Sequence, residues 1–225
     1  CYAGLGNLLL NTKDTATAKT NLDKALSLAS KDAIAVMIVG EAWAFTPEKK
    51  FNHKALEVLN KSVQMNAKNA TSQIILGDVY ALDPDKGGNA ITSYEHAVEI
   101  NPSSAKGFMK IGIIYVRARN YDEAGKAFDR GIAADPNFGP IYREQAEYYS
   151  LNRKYTEAAA AYKKYLDLAE ETTEDMLTRY AQLHFLSKDY DNTITITNQV
   201  LAKDSSNAIL KRLIAYAYFE KGKYP

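Results

Sequence analysis

The block Phe108-Met-Lys-Ile-Gly112-Ile-Ile-Tyr115, with Ala124, Phe128 and Pro136 behind it, returns in altered form about every 34 residues along the chain. A period in this range rules out most single-core folds, because it marks one supersecondary unit stacked repeatedly on its own copies. In each copy small and apolar residues fall at i, i+3, i+4 and i+7, as at Phe108, Ile111, Gly112 and Tyr115. That spacing lays one stripe along a helix. A second stripe of Ala124, Phe128 and Gly131 or Ile132 follows a polar break at Arg119-Asn120, so each unit is expected to be a helical hairpin and the fold class all-α. Small residues at Gly112 and Ala124 let two helices approach closely, and the aromatics fill the space beside them. Asp135-Pro136-Asn137 ends one helix and starts the next.

The clearest copy runs from Ala105 to Phe138. Gly77, Tyr80, Ala90, Tyr94, Ala97 and Pro102 repeat it upstream, and Tyr142, Ala146, Tyr149, Ala158 and Tyr162 downstream. Weaker copies carry Tyr2, Leu5, Gly6, Ala18, Leu22 and Ala25, then Gly40, Trp43, Ala55 and Leu59, and later Ala181, His184, Tyr190 and Val200. The recurring order of aromatic, glycine, tyrosine, alanine, second aromatic and proline resembles the tetratricopeptide repeat (TPR). The resemblance covers the whole chain and implies a right-handed α-solenoid, or superhelix, of TPR hairpins. It divides one array over residues 1–225 into repeats at about 1–32, 33–69, 70–104, 105–138, 139–173 and 174–207, with the first helix of a seventh at 208–225.

Composition agrees with an ordered chain and narrows its partners. Hydrophobic residues make up 46% and charged residues 24%, enough for a packed solenoid. Lys and Arg number 28 against 27 Asp and Glu, and a net charge of +1 offers no global attraction for nucleic acid or an anionic membrane. No apolar run is long enough to enter a bilayer. Of the 16 tyrosines, only Tyr148 and Tyr216 fall outside positions that face a neighbouring helix or mark a hairpin turn.

The ends carry expectations of their own. Cys1 is the single cysteine, so no internal disulfide forms. A mature bacterial lipoprotein also begins at cysteine, yet Tyr2, Leu5 and Gly6 already sit in register with no tether, which favours a cut within a longer protein. The final segment carries Ile209, Leu213, Tyr216 and Phe219 beside its inward stripe of Leu210, Ile214, Ala215 and Tyr218, so continuation past the last residue is expected. The phrases Gly87-Gly88-Asn89-Ala90-Ile91 and Tyr142-Arg-Glu resemble long bacterial TPR proteins with export signals, which implies a periplasmic setting.

Two hairpin turns, Phe45 to His53 and Leu82 to Asn89, are longer than the resemblance implies. The second has the Asp-x-Asp start of a calcium loop, but Tyr94 stands where a bidentate glutamate belongs, so a solvated turn is expected. The segment Asn192-Thr-Ile-Thr-Ile-Thr197 alternates like a strand, but the register on both sides demands a helix, the least stable of the array.

Nothing points to catalysis, a metal or another cofactor. His53, His96 and His184 lie far apart without metal-ligand spacing, and no phosphate loop or nucleophile elbow occurs. His184 takes a slot that other copies give to tyrosine, which predicts a packed ring with one satisfied nitrogen. The resemblance implies instead a non-catalytic scaffold for a protein or peptide partner, gripped in a concave groove lined by the first helix of each hairpin.

The residues expected there, one helical face from the packing stripe, are Met37, Ile38, Glu41 and Phe45, then Ile74 and Asp78, then Lys106, Lys110, Ile113 and Arg117, then Arg143 and Glu147, and finally Arg179 and Gln182. An apolar anchor near Met37, Ile38, Phe45 and Ile74 and acidic groups at Lys106, Lys110, Arg117 and Arg143 describe the expected ligand. Beside these stand two plainer readings, contact between adjacent repeats for the apolar patch and a face neutralised by Glu144 and Glu147 for the basic one. The TPR clamp for acidic chaperone termini needs asparagines where this chain has Glu41, Asp78, Ile113 or Glu147, and is excluded. Self-association as a spacer or oligomerisation module, or service as an accessory domain of a larger protein, remains the alternative.

Overall fold

The computed structural model describes residues 2–11, 14–44 and 52–222. Among them thirteen α-helices follow one another: α1 (Tyr2–Asn11), α2 (Thr15–Leu28), α3 (Ala33–Ala44), α4 (Asn52–Met65), α5 (Ala70–Tyr80), α6 (Gly87–Ile100) and α7 (Ala105–Arg117). After these come α8 (Tyr121–Ala134), α9 (Gly139–Leu151), α10 (Tyr155–Asp167), α11 (Glu174–Leu186), α12 (Tyr190–Leu201) and α13 (Ala208–Glu220). The chain divides into two compact units, residues 1–114 and 115–225. In the first, α1 pairs with α2, α3 with α4 and α5 with α6, while α3 also meets α1 and α2, and α4 meets α5. In the second, α9 pairs with α10 and α11 with α12, α10 also packs on α11, and α13 lies against α11 and α12.

Close approach within each pair follows from side-chain size. A Cβ added at Gly6 would lie 2.5 Å from Leu22 Cγ, one at Gly40 2.7 Å from Leu59 Cγ, and one at Gly77 2.5 Å from Tyr94 Cε1. The first helix of each pair must therefore be bare where the large residue of its partner crosses it. Further along, Ala146 and Ala181 take the bare slot and are fully buried. One turn before each large residue, the second helices place Ala18, Ala55, Ala90, Ala124 and Ala158, none with any exposure.

The α11–α12 pair departs from this pattern. There Thr193 and Thr197 occupy the alanine and large-residue slots, and both are fully buried. The Thr193 hydroxyl donates back to the Asp189 carbonyl at 2.8 Å. The Thr197 hydroxyl has no partner among the described residues. The expected helix is present at Tyr190–Leu201, begun by Asp189, whose side chain accepts from the Asn192 amide.

Three hairpin turns are closed by left-handed caps. Arg119, Arg153 and Lys188 have φ of 58°, 58° and 64°. In each case the next amide reaches back to the helix, Asn120 to the Tyr115 carbonyl, Lys154 to Tyr149 and Asp189 to His184, all at 2.9 Å. This bond pattern satisfies the last carbonyls of a helix and ordinarily recruits glycine. Basic residues in that slot place positive charge beside the negative end of the helix dipole. Gly222, with φ of 67°, holds the corresponding place after α13.

Two packing expectations change. Tyr148 is not idle: its ring lies 5.7 Å from Phe128, 5.1 Å from Tyr149 and 6.4 Å from Tyr121, in one aromatic cluster. In α13 the inward residues are Leu210 and Ala217, whereas Ala215, expected inside, is exposed. Ile209, Tyr216 and Phe219 are exposed, at 50%, 60% and 58%.

Candidate interaction surface

Helix α3 starts at Asp32, whose carboxylate accepts from the Ile34 and Ala35 amides at 2.8 and 3.2 Å. That start fixes which residues face away from α4. Ile34, Ile38 and Glu41 share one face by their spacing of four and three. Ile34 and Ile38 are both about half exposed, while Glu41 is half-buried. Beside them α1 and α3 leave two adjoining clefts of about 310 and 320 Å³ that share Ala3 and Ile38 as walls. The Asn7 side-chain amide donates to the Ala42 carbonyl at 3.0 Å and ties α1 to α3 across this site.

Other residues expected on the surface are placed differently. Met37 and Ile74 are 9% and 6% exposed, so both serve packing, and of the expected apolar anchor Ile38 is the exposed member among the described residues. Both sit on helices with neighbours on several sides, since α3 touches α1, α2, α4 and α5. Phe45, the turn from Phe45 to Phe51, Cys1 and the side chain of Asn11 lie outside the described residues. Ile113 and Gln182 are half-buried, and Arg117 is exposed.

Charge on the expected basic stretch is largely spent within the fold. The Lys110 ammonium lies 2.8 Å from the Asp78 carboxylate, which also accepts from the Tyr94 hydroxyl at 2.7 Å. Arg179 forms a two-pronged bond to Glu147, at 2.9 and 2.7 Å. These two pairs repeat one rule: the acid stands immediately after the bare glycine or alanine of one first helix, and the cation two residues before the bare slot of the next. Arg143 pairs with its chain neighbour Glu144 at 2.7 Å, and that contact holds its guanidinium above the ordinary arginine range. Lys106 is exposed and makes no ion pair among the described residues. Periodicity showed the helical faces, but the pairing needed the bare slots as a ruler.

The remaining titratable features are structural. His184 is buried, with Nδ1 3.0 Å from the Asp189 carboxylate and its ring edge-on to Tyr180 at 4.5 Å between centroids. Burial pushes the Asp189 carboxyl up, but hydrogen bonds from the Asn192 side chain and amide and from His184 outweigh it and hold it below the usual range. Asp83, in the turn once compared with a calcium loop, accepts from the Asp85 amide at 3.1 Å and lies 3.2 Å from Lys86. Its carboxylate is thus occupied in opening a short 3-10 turn at Pro84–Lys86.

Successive helical pairs with bare slots facing large residues form one repeated unit, joined at three of its turns by left-handed caps. Sequence models of the tetratricopeptide repeat match residues 1–32 and 109–172. The chain is a tetratricopeptide-repeat protein.

Solved TPR structures share its fold. PilW, described as a widely conserved type IV pilus biogenesis factor, superposes with a TM-score of 0.73 at 18% identity, over 95% of this chain and 96% of its own. PilF of Pseudomonas aeruginosa superposes with a TM-score of 0.67 at 18% identity, over 96% of each chain. YrrB, described as a TPR protein with an unusual peptide-binding site, superposes at 0.58 and 13% identity, over 85% of this chain and 96% of that one. No curated protein matches the chain by sequence. TPR domains are typically non-catalytic and bind protein partners, generally as interaction scaffolds. Among the described residues of this TPR protein, no helix is long and apolar enough to cross a membrane.

Proposed function

We propose that this chain is a non-catalytic scaffold that binds an extended peptide or a partner helix along the exposed faces of its first helices. The observation that carries the reading is the face of α3: Ile38 and Glu41 line open clefts, Ile34 is exposed one turn before Ile38, and none of the three belongs to the buried core. An apolar side chain surrounded by a polar rim is the usual anatomy of a contact that contributes most of a binding energy. Within the first unit Lys106 offers a cation to acidic groups of the partner, and within the second unit Arg143 offers another on its own first helix. The bacterial periplasm is the setting we propose, on the resemblance of the Gly87–Ile91 and Tyr142–Glu144 phrases to exported TPR proteins.

The test is a pull-down from extracts of the source cell, with the wild-type chain beside an Ile38→Asp variant and a Lys106→Glu, Arg143→Ala variant. A protein retained by the wild type and lost from the variants, at unchanged thermal midpoints, supports the reading. Equal or empty captures sink it. Lys110 is unsuitable for charge reversal, because Lys110→Glu would set two carboxylates together at Asp78 and lower stability.

A second reading, self-association, is favoured by the three exposed apolar side chains of α13. A patch of this kind marks an interaction surface when its members are contiguous. Under that reading, sedimentation shows a mass that rises with concentration, and Phe219→Glu abolishes the rise.

A further inference from the structure

The register of ion pairs leaves one acid without its cation. Measured from the bare slot, Glu41 stands where Asp78 and Glu147 stand in their own helices. Asp78 is held by Lys110, and Glu147 by Arg179. The place that should answer Glu41, two residues before Gly77, is Ile75, which is 5% exposed and packed in the core. Glu41 accordingly makes no hydrogen bond or ion pair among the described residues, although it is half-buried. A partly desolvated carboxylate with no partner is costly and gains most from an incoming cation.

Its surroundings say what should accompany that cation. Glu41 lines the cleft of about 320 Å³ together with Asn7 and Ala42. Across Ile38 this cleft continues into the one of about 310 Å³, walled by Tyr2, Ala25, Leu28 and Val39. Asn7 commits its side-chain amide to the Ala42 carbonyl. Among the described residues Glu41 is therefore the one acidic or basic side chain lining the two clefts, and the rest of that lining is mainly apolar.

We propose that this site binds a peptide segment that carries a lysine or arginine close to an apolar residue. The cation completes the pair that Ile75 cannot make with Glu41, and the apolar side chain enters between α1 and α3. The two ligand residues sit one turn apart if the segment is helical, or two residues apart if it is extended, a spacing of roughly 6–7 Å in either case. The proposal rests on the interaction-scaffold reading and assigns this part of the surface a preference opposite in charge to that of Lys106 and Arg143.

The experiment uses the full chain and a positional-scanning library of acetylated, amidated dodecapeptides. The wild-type chain retains peptides enriched in lysine or arginine within four residues of an apolar side chain, with an affinity about tenfold above their glutamate-substituted counterparts, the effect of one well-formed charge contact. Glu41→Gln loses the charge preference but keeps the apolar one, Glu41→Lys turns it toward Asp and Glu, and Ile38→Asp loses both. Retention of peptides without charge selection, or the same selection by Glu41→Lys as by wild type, overturns this inference and leaves the scaffold reading in place. Retention of no peptide by the wild type overturns both. The thermal midpoint of Glu41→Gln is equal to or slightly above the wild type's, because Glu41 makes no bond among the described residues and its partial burial is unrewarded.

Discussion

Replacing Gly77 by alanine tests the packing logic at its tightest point. The new Cβ would lie 2.5 Å from Tyr94 Cε1, 2.7 Å from Cδ1 and 3.0 Å from Cζ. These are atoms of a rigid ring that is 1% exposed, so the ring cannot swing clear as a flexible side chain would. Displacing it also strains the hydroxyl bond to Asp78 at 2.7 Å. Overpacking of this kind costs roughly 1–3 kcal/mol, and loss of a bond to a charged acceptor about 1.5–3 kcal/mol. Against that, alanine in a helix gains about 1 kcal/mol over glycine. The expected net loss is about 2–3 kcal/mol, read from urea unfolding followed by circular dichroism with unchanged slope. Gly88→Ala in α6 is the control, since a Cβ there meets nothing within 4 Å; it should be neutral or slightly stabilising. In a Tyr94→Ala background the Gly77→Ala penalty should vanish, a coupling of about 2–3 kcal/mol. A Gly77→Ala protein as stable as wild type, or one equally damaged with Tyr94 removed, would refute the reasoning.

Three further substitutions probe the second unit. Thr197→Val removes a fully buried hydroxyl that has no partner among the described residues, and should raise stability by about 1 kcal/mol in the same unfolding assay. Arg153→Gly relieves a left-handed φ of 58° and should stabilise by about 0.5–1 kcal/mol, the net of relieved strain and glycine's extra freedom when unfolded. Asp189→Asn keeps a capping side chain and removes the charge. Because hydrogen bonds lower the folded Asp189 pKa despite the opposing effect of burial, its charge stabilises the fold above the unfolded value near about 3.9 and loses that contribution as pH falls through the folded value. At 38% side-chain exposure the effect is screened, so the variant should lose only about 0.5 kcal/mol at neutral pH, with the gap closing below about pH 4 in acid titrations of stability.

Helix number and pairing were legible because they depend on residue size at fixed intervals, and size is written in the sequence: Gly6, Gly40 and Gly77 are bare where Leu22, Leu59 and Tyr94 cross. Two things were less visible. The turn at Arg119 read only as a polar break, and those at Arg153 and Lys188 carried no signal of their own, because the basic residues there adopt the conformation normally marked by glycine. Thr197 was hidden in a strand-like alternation, so the large-residue slot of α12 went unrecognised. On the surface, helical periodicity separates a groove face from a packing face but says nothing of depth. Met37 and Ile38 are adjacent in sequence, and only the structure shows that one is 9% and the other 47% exposed.

The pairing of Lys110 with Asp78 and of Arg179 with Glu147 changes how charge on such a surface should be read. A cation that answers an acid on the preceding first helix is part of the joint between repeats, and a ligand carboxylate must displace the internal one to use it. Half-buried pairs of this sort contribute on the order of 1 kcal/mol, so displacement is possible but discriminates weakly. An unanswered charge discriminates more, because its partial desolvation has already been incurred in the folded state and the first suitable counter-charge recovers it. By that argument the informative positions are those where the ladder is broken. In the first unit the break pairs Glu41 with Ile75, which is why the specificity of this surface should be sought between α1 and α3 rather than at the lysine and arginine residues that the sequence makes most conspicuous.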